Sequence, residues 1–360
     1  LTKFLQEAGY ATAHYGKWHL ANDMIPDSPL PSAYGIDEYG AFNCSGPQMF
    51  VHDDVKMAIP FIERSHELGK PFFINLWMHE PHTPFHVDPK LMEQFSDLPQ
   101  ADAIYAATLF HADLRIGQLL DALERNGLTE DTLVIFSSDN GPARGAPGTP
   151  LALTYDTATG LGYGLGAAKG ITGGRLEYKG SLMEGGIGVP FIARWPGKIA
   201  PNTVSGHASV QYDIMPTLAA LTGKPVPNLD GISLLPTLMG QSAAQKNHPF
   251  FYFEYPENGG QLAVRIGNWK GIKRNVRKDP SGAWELFNME TDRYEKNNVA
   301  AAHPELIRKM MEVAQSVRTL EKMTVGHEAE IKKIKEWFSS YLQWVTTHPY
   351  GIEEREAKNN

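Results

Sequence analysis

Apolar positions along the first two thirds of the chain alternate between helical and strand periods. Leu1, Phe4, Leu5 and Ala8 fall at i, i+3, i+4 and i+7, one stripe of a helix, with Thr2 as its candidate N-cap and Gly9 as its stop. Residues 11–15 read as a short strand that ends at Gly16-Lys17-Trp18-His19-Leu20, and a Pro/Gly/Ser-rich loop runs over 22–46. The pattern predicts a helix over 53–68, with Ile59, Ile62 and Leu68 on its buried side. Residues 71–78 form a continuous apolar run, as expected of a strand buried on both faces. A long amphipathic helix follows over 103–126, its stripe formed by Tyr105, Leu109, Ala112, Ile116, Leu119 and Leu123, with Gly127 as stop. Residues 132–137 are the next buried strand. The Gly/Ala/Thr/Pro-rich stretch 141–174 is too long for a bare connector and reads as an ordered functional loop or an insertion. A strand at 189–195 and a helix at 213–222 complete the alternation, which predicts an α/β fold with a mostly parallel sheet flanked by helices.

After about residue 245 the pattern changes. Segments 250–255, 261–266 and 269–274 are short, strand-like and close together, which predicts a small antiparallel sheet, followed by a helix at 304–320. The expected organisation is an α/β domain over 1–245, a small α+β subdomain over 246–322 and a charged helical tail over 323–360, with Ile331, Ile334, Trp337, Phe338 and Tyr341 on the apolar side of the tail. Opening on a core-facing helix suggests that further sequence precedes Leu1.

The 360 residues are 42% hydrophobic and 21% charged, the balance of an ordinary folded domain. The net charge of −8 argues against nucleic acid as partner, so an anionic ligand must be held by a few local cations or a metal. A single cysteine, Cys44, excludes an internal disulfide framework and a multi-cysteine metal site. No apolar run approaches the roughly 18 residues of a bilayer span.

Four polar clusters lie at strand ends, where α/β sheets hold ligands. They are Lys17 with His19; His79-Glu80-Pro81-His82-Thr83-Pro84; Ser138-Asp139-Asn140-Gly141-Pro142; and Lys179-Gly180-Ser181 with Glu184-Gly185-Gly186. Singly, each has a plain structural reading. A strand-end lysine or histidine is commonly solvated, Asp-Asn-Gly is a good turn, and Glu-Gly-Gly is turn chemistry before a strand. Their common position, repeated in order, points to one ligand site.

These blocks carry a resemblance. Gly9-Tyr10-Ala11-Thr12-Ala13-His14-Tyr15-Gly16-Lys17-Trp18-His19-Leu20 is similar to the second signature of the sulfatases, members of the alkaline phosphatase superfamily. Pro81-His82-Thr83-Pro84, Ser138-Asp139-Asn140-Gly141 and Lys179-Gly180-Ser181-Leu182-Met183-Glu184-Gly185-Gly186 resemble the later blocks in order. Asp213-Ile214-Met215-Pro216 and Asp230-Gly231-Ile232-Ser233-Leu234 also match, and Ala263-Val264-Arg265 to Trp269-Lys270 and Glu285-Leu286-Phe287-Asn288 resemble the small terminal domain. The resemblance spans about residues 1–320 and implies an alkaline phosphatase-like fold and hydrolysis of sulfate esters. It implies that Lys17 and Lys179 hold sulfate oxygens, that His82 sits by the leaving oxygen, and that His19 is a general base during regeneration of the nucleophile. Asp139 and Asn140 would bind a divalent ion, usually calcium, which oxygen ligands suit. The implied nucleophile is a formylglycine made from Cys or Ser. The implied substrates are sulfated small molecules or polysaccharides, with the periplasm, extracellular space or lysosome as the setting.

The family's nucleophile block and an Asp pair lie upstream of the Gly-Lys-Trp-His block and do not occur here. Cys44 lacks the accompanying arginine and is read as a buried or loop thiol. Gly188 stands where sulfatases usually place arginine. The chain alone is therefore expected to be inactive and to fold poorly. Two other readings stay open: a phosphate or phosphonate ester hydrolase of the same superfamily, and a non-catalytic domain that binds sulfated glycans.

Overall fold

The computed structural model describes residues 1–20, 29–42, 52–149, 151–156, 160–226 and 229–317. Cys44, most of the 22–46 loop and the 323–360 tail lie outside these residues. In chain order the elements are α1 (Thr2–Glu7), β1 (Ala11–Lys17), β2 (Glu38–Phe42), α2 (Asp54–Glu67), β3 (Phe72–Trp77), β4 (Phe85–Val87), α3 (Pro89–Met92) and α4 (Gln100–Arg125). There follow β5 (Val134–Ser137), β6 (Ala152–Asp156), β7 (Gly160–Tyr163), α5 (Glu184–Ile187), β8 (Phe191–Arg194), α6 (Ile214–Thr222) and α7 (Leu235–Leu238). The last elements are β9 (Phe251–Tyr255), β10 (Gln261–Ile266), β11 (Trp269–Arg274), β12 (Trp284–Asn288) and α8 (Pro304–Val317).

Strands β2, β1 and β3 form a parallel sheet with β1 central. Ala13, Tyr15, Ala58 and Phe61 make a buried cluster between β1 and α2, joined by Phe72, Ile74 and Leu76. Parallel strands require crossover connections, and α2 supplies the one that leads into β3. Strands β5 and β8 pair antiparallel, with Phe136 opposite Ile192. The C-terminal sheet, in the order β12-β11-β10-β9, is antiparallel throughout. Helix α8 buries Met310 and Ala314 against Leu262, Val264, Trp284 and Leu286 of that sheet. An α/β fold with a parallel sheet, flanking helices and a small antiparallel sheet near the C-terminus is therefore present.

Several local expectations are corrected. Thr2 does not cap α1: the N-cap position is Leu1, and the Thr2 hydroxyl instead donates to the Tyr34 carbonyl at 2.6 Å. Leu68 is exposed, because α2 ends at Glu67 and its buried face runs through Val55, Ala58, Phe61 and Ile62. On α4 the buried face is Ala103, Ile104, Ala107, Thr108, Arg115, Ala122 and Leu123, and Leu109 is exposed. The stripe is displaced because α4 packs on both α2 and β4, so small residues and an arginine face inward. β3 is only half-buried and Trp77 is exposed, since among the described residues β3 is the edge of its sheet. The 141–174 stretch is ordered structure in large part. β6 and β7 form a sheet with β4, and Tyr163, Ala167 and Ala168 pack on Phe85, Val87, Ile104 and Ala107. No helix among the described residues is long and apolar enough to cross a membrane.

Candidate active site

The end of β1 is fixed before Lys17 leaves it. Gly16 has φ 103°, and a Cβ there would overlap the Trp77 carbonyl of β3, so only glycine allows this approach. Two residues earlier, the buried His14 ring lies edge-on to Trp18 and to Trp77, with ring centroids 4.9 Å away in each case. Its Nε2–H donates to the Lys17 carbonyl at 3.0 Å, since a carbonyl can only accept. Burial pulls the His14 pKa down to about 4, so the ring is a neutral clamp on the strand end. Lys17 is half-buried and His19, two residues on, is exposed.

The loop after β3 is stitched from inside by its second residue. His79 is buried and donates from Nε2 to the Pro84 carbonyl at 2.9 Å. Burial lowers its pKa to about 4. Within the loop the Glu80–Pro81 and Thr83–Pro84 peptides are cis. His82 Nδ1 donates to the Thr83 carbonyl at 2.6 Å, which fixes the tautomer and leaves Nε2 for the site.

The third and fourth clusters are docked on each other by backbone. Gly141 N–H donates to the Gly186 carbonyl at 2.7 Å and Lys179 N–H to the Pro142 carbonyl at 2.9 Å. A Cβ at Gly141 would overlap the Gly185 carbonyl. Within the turn, the Asn140 amide N–H bonds Asp139 Oδ1 at 2.9 Å and Asn140 Nδ2 donates to the Gly141 carbonyl at 2.8 Å. The Asn140 carboxamide oxygen is thereby turned away from its own nitrogen's partner. The segment from 179 to 186 rests in turn on the C-terminal sheet. Gln261 accepts from Leu182 N–H at 3.1 Å and donates to the Gly180 carbonyl at 3.0 Å. Buried Lys270 bridges Glu184 and Glu295, each at 2.7 Å, and Leu182 and Met183 pack against Ala263, Ile272 and Phe287.

These supports bring four of the six sequence-selected residues into one electrostatic field. Burial lowers the His82 pKa first, and the positive charges of Lys179 and Lys17 lower it further, while the Thr83 carbonyl and Asp139 oppose them. His82 thus feels the charges of Lys17, Lys179 and Asp139, and Asn140 follows Asp139 in its turn. His19 joins this group only by its place in the chain, two residues beyond Lys17. Two ammonium groups against one carboxylate, acting on one half-buried imidazole, make a charge balance that favours a small anion. For a hard divalent ion, Asp139 and Asn140 offer oxygen donors of the right chemistry, but a calcium ion takes six to eight oxygens. The remaining ligands must come from water, from substrate or from residues other than these two.

The place of Gly188 is explained by its neighbours. A Cβ there would lie 2.7 Å from the Glu184 carbonyl oxygen and 3.5 Å from Cδ of Arg175. Arg175 thus fills the space beside Gly188. Sequence reading did not assign His14, His79, Gln261 or Lys270 their role, which is to position the cluster. His14 and His79 are buried histidines inside the matched blocks, which was a usable signal. Gln261 gave none, and Lys270 closed a matched block of the terminal domain without marking its tie to Glu184. Asp213, in another matched block, is structural: its carboxylate accepts from Val210 N–H, Ile232 N–H and His248 Nε2 at 3.0, 2.8 and 2.8 Å.

Two lysines, a histidine and an Asp-Asn turn thus stand at or near strand ends of this α/β scaffold. The family model Sulfatase matches residues 1–224, and the model for the C-terminal part of N-sulphoglucosamine sulphohydrolase matches 175–322. A third, Alginate lyase, matches 286–360, most of which lies outside the described residues. Arylsulfatase A of Homo sapiens is 36% identical over 205 residues, covering 56% of this chain and 35% of that protein. The N-acetylgalactosamine-6-O-sulfatase of Bacteroides thetaiotaomicron is 30% identical over 272 residues, covering 69% of this chain and 48% of that protein. Ps i-CgsB, solved in complex with k-i-k-neocarrahexaose, has the same fold with a TM-score of 0.71 at 24% identity, over 88% of this chain and 73% of that one. The chain belongs to the sulfatase family, within the alkaline phosphatase superfamily. It spans about a third to a half of the length of these curated relatives.

Proposed function

We propose that this chain supplies the sulfate-binding and leaving-group side of a sulfuric ester hydrolase that acts on sulfated sugars. The observation that carries the reading is the shared field of Lys17, Lys179 and Asp139 at His82. Lys17 and Lys179 hold the terminal sulfate oxygens and favour the charge that develops on them in a partly dry pocket. In the free protein, burial and two lysines disfavour the His82 cation. A bound sulfate ester reverses that balance. Its negative charge offsets the lysines, so His82 takes up a proton and presents Nε2–H to the oxygen of the leaving alcohol. His19, exposed beside Lys17, serves as the base that acts on the nucleophile in the second half of the reaction.

Asp139 and Asn140 contribute two ligands to a divalent ion, for which calcium is our assignment. Bound, the ion supplies further positive charge at the sulfate oxygens. None of the six residues is a hydroxyl, thiol or aldehyde that attacks sulfur. The family's formylglycine would supply that group, and we expect it from outside the described residues, so that these residues bind without turning over. The relatives named for N-acetylgalactosamine 6-sulfate esters and the fold relative with a bound carrageenan-type oligosaccharide support a polysaccharide-derived substrate. We also expect it to act outside the cytoplasm.

The test is titration calorimetry with N-acetylgalactosamine 6-sulfate and its unsulfated parent across pH 5.5 to 8. The sulfated sugar alone should bind, and Lys17→Ala and Lys179→Ala should each weaken it by about tenfold, the scale of one charge-assisted contact of about 1.4 kcal/mol. Since binding raises the His82 pKa, affinity should rise as pH falls, and His82→Gln should flatten that slope. Equal affinity for the two sugars, or no effect of either lysine, would remove the reading.

A further inference from the structure

A second polar cluster lies beneath the His82 loop and takes no part in the site above. It draws on three elements. His52 and Asp54 come from the start of α2, Glu80 from the loop after β3, and His111 and Arg115 from consecutive turns of α4. The i, i+4 spacing puts the last two on one helix face. His52, Glu80 and His111 each offer one ligand atom, and the three atoms all lie within 4.8 Å of one another. His52 Nδ1 is 3.0 Å from Glu80 Oε1, and the two rings stand with centroids 4.4 Å apart. His111 Nδ1 is buried with no hydrogen-bond partner. Such an atom in the interior is a cost unless something binds it.

We propose that His52, Glu80 and His111 form a structural site for a transition-metal ion, with zinc as the ion the donors favour. Two imidazoles and a carboxylate are borderline ligands that suit zinc better than calcium or magnesium. Ligands of a tetrahedral zinc sit about 2.0–2.1 Å from it and hence about 3.3 Å from each other, so small side-chain rotations close the observed triangle around an ion. A water completes the coordination. The electrostatics agree. The carboxylates of Asp54 and Glu80 are both buried, and Arg115 is ion-paired to both. With the imidazoles neutral, the cluster keeps one net negative charge for the cation. Arg115 donates to both oxygens of Glu80, at 3.1 and 3.3 Å, and so orients the carboxylate in the way outer-shell partners orient ligands.

Glu80 is two residues from His82. An ion here ties the loop that carries His82 to both α2 and α4. This role is separate from the ion held by Asp139 and Asn140, and it stands whether or not the chain binds sulfate esters.

Equilibrium dialysis of the full chain against Zn2+ alone, with metal analysis of the protein, tests it. A single tightly held zinc per chain is expected, together with a rise in Tm. Binding should fall by at least about tenfold in His52→Gln and in His111→Gln and persist in Asp139→Asn. Circular dichroism shows whether each variant is folded. Should both histidine variants unfold, Co2+ bound to the wild type decides: a tetrahedral, histidine-containing absorption spectrum supports the site, and an octahedral all-oxygen one overturns it. Absence of saturable zinc binding, or zinc affinity unchanged in folded His52→Gln and His111→Gln, also overturns it.

Discussion

At the scale of single residues, His14 and His79 carry a consequence for acid stability. Each is buried, donates one hydrogen bond to a backbone carbonyl and has a pKa of about 4 in the fold. In the unfolded chain the value returns to about 6.5. Between those values the unfolded state binds protons that the folded state does not, so stability falls as pH drops from about 6.5 to about 4 and then levels off. Each residue contributes up to about 3 kcal/mol to that loss. Urea unfolding followed by fluorescence at intervals from pH 7 to pH 4 should show the decline. His14→Gln and His79→Gln keep the donor but cannot titrate, and each should make the profile shallower while lowering stability near neutral pH only modestly. A profile that is flat in the wild type would contradict the neutral, buried assignment. These histidines sit inside the Gly-Lys-Trp-His and His-Glu-Pro-His blocks, so the residues that look chemical in the sequence divide in two. His82 is the one we propose meets the ligand, and His14 and His79 hold the segments on either side through their backbone hydrogen bonds.

At the scale of elements, the site depends on how the Ser138-Asp139-Asn140-Gly141 turn docks on the segment from 179 to 186. The Gly141 N–H to Gly186 carbonyl bond, with no room for a Cβ beside Gly185, makes this docking specific to glycine. Gly141→Ala should therefore push the turn away, costing about 1–3 kcal/mol, and should weaken sulfated-sugar binding although no ligand-facing side chain is changed. Thermal denaturation and calorimetry of the one variant read both effects. An alanine that leaves stability and binding intact would show that the turn is not held there. Most elements were legible because their signals are local. Strands β10 and β11 follow from periodicity alone, and the last turn of α4 from periodicity with Gly127 as stop residue. The four clusters were legible because each follows a strand or precedes one. What escaped was non-local. Strands β6 and β7 lie in a Gly/Ala/Thr/Pro-rich stretch with little alternation, and only the pairing of β7 with β4 and of β6 with β7 makes them strands. The inward face of α4 contains Arg115, and an apolar stripe cannot announce a buried arginine whose partners are Asp54 and Glu80. The support given to Lys179 by Gln261 and Lys270 crosses some 80 to 90 positions, a separation over which a single sequence shows no pattern.

At the scale of the whole molecule, the arrangement of sheets leaves apolar surface uncovered. Among the described residues β3 is an edge of the parallel sheet and β5 pairs only with β8. Phe136 and Ile192 are directly opposite in the β5–β8 pair, hence on one face, and they are 44% and 59% exposed. Trp77 and Phe191, at the ends of β3 and β8 nearest the site, are exposed as well. Single exposed apolar residues are ordinary, but a cross-strand pair of large ones beside unpaired strand edges presents both a sticky face and free backbone donors and acceptors. The chain on its own should therefore associate as its concentration rises and should bind an apolar dye while retaining native circular dichroism. Ile192→Lys places a charge in the middle of that face, where it blunts edge pairing, and should shift light-scattering mass toward the monomer and lower dye fluorescence. It should leave Tm nearly unchanged, because a side chain already exposed to this extent loses little burial on substitution. A wild-type chain that stays monomeric at high concentration without dye binding would mean that this face is covered, and the search would then turn to which residues cover it.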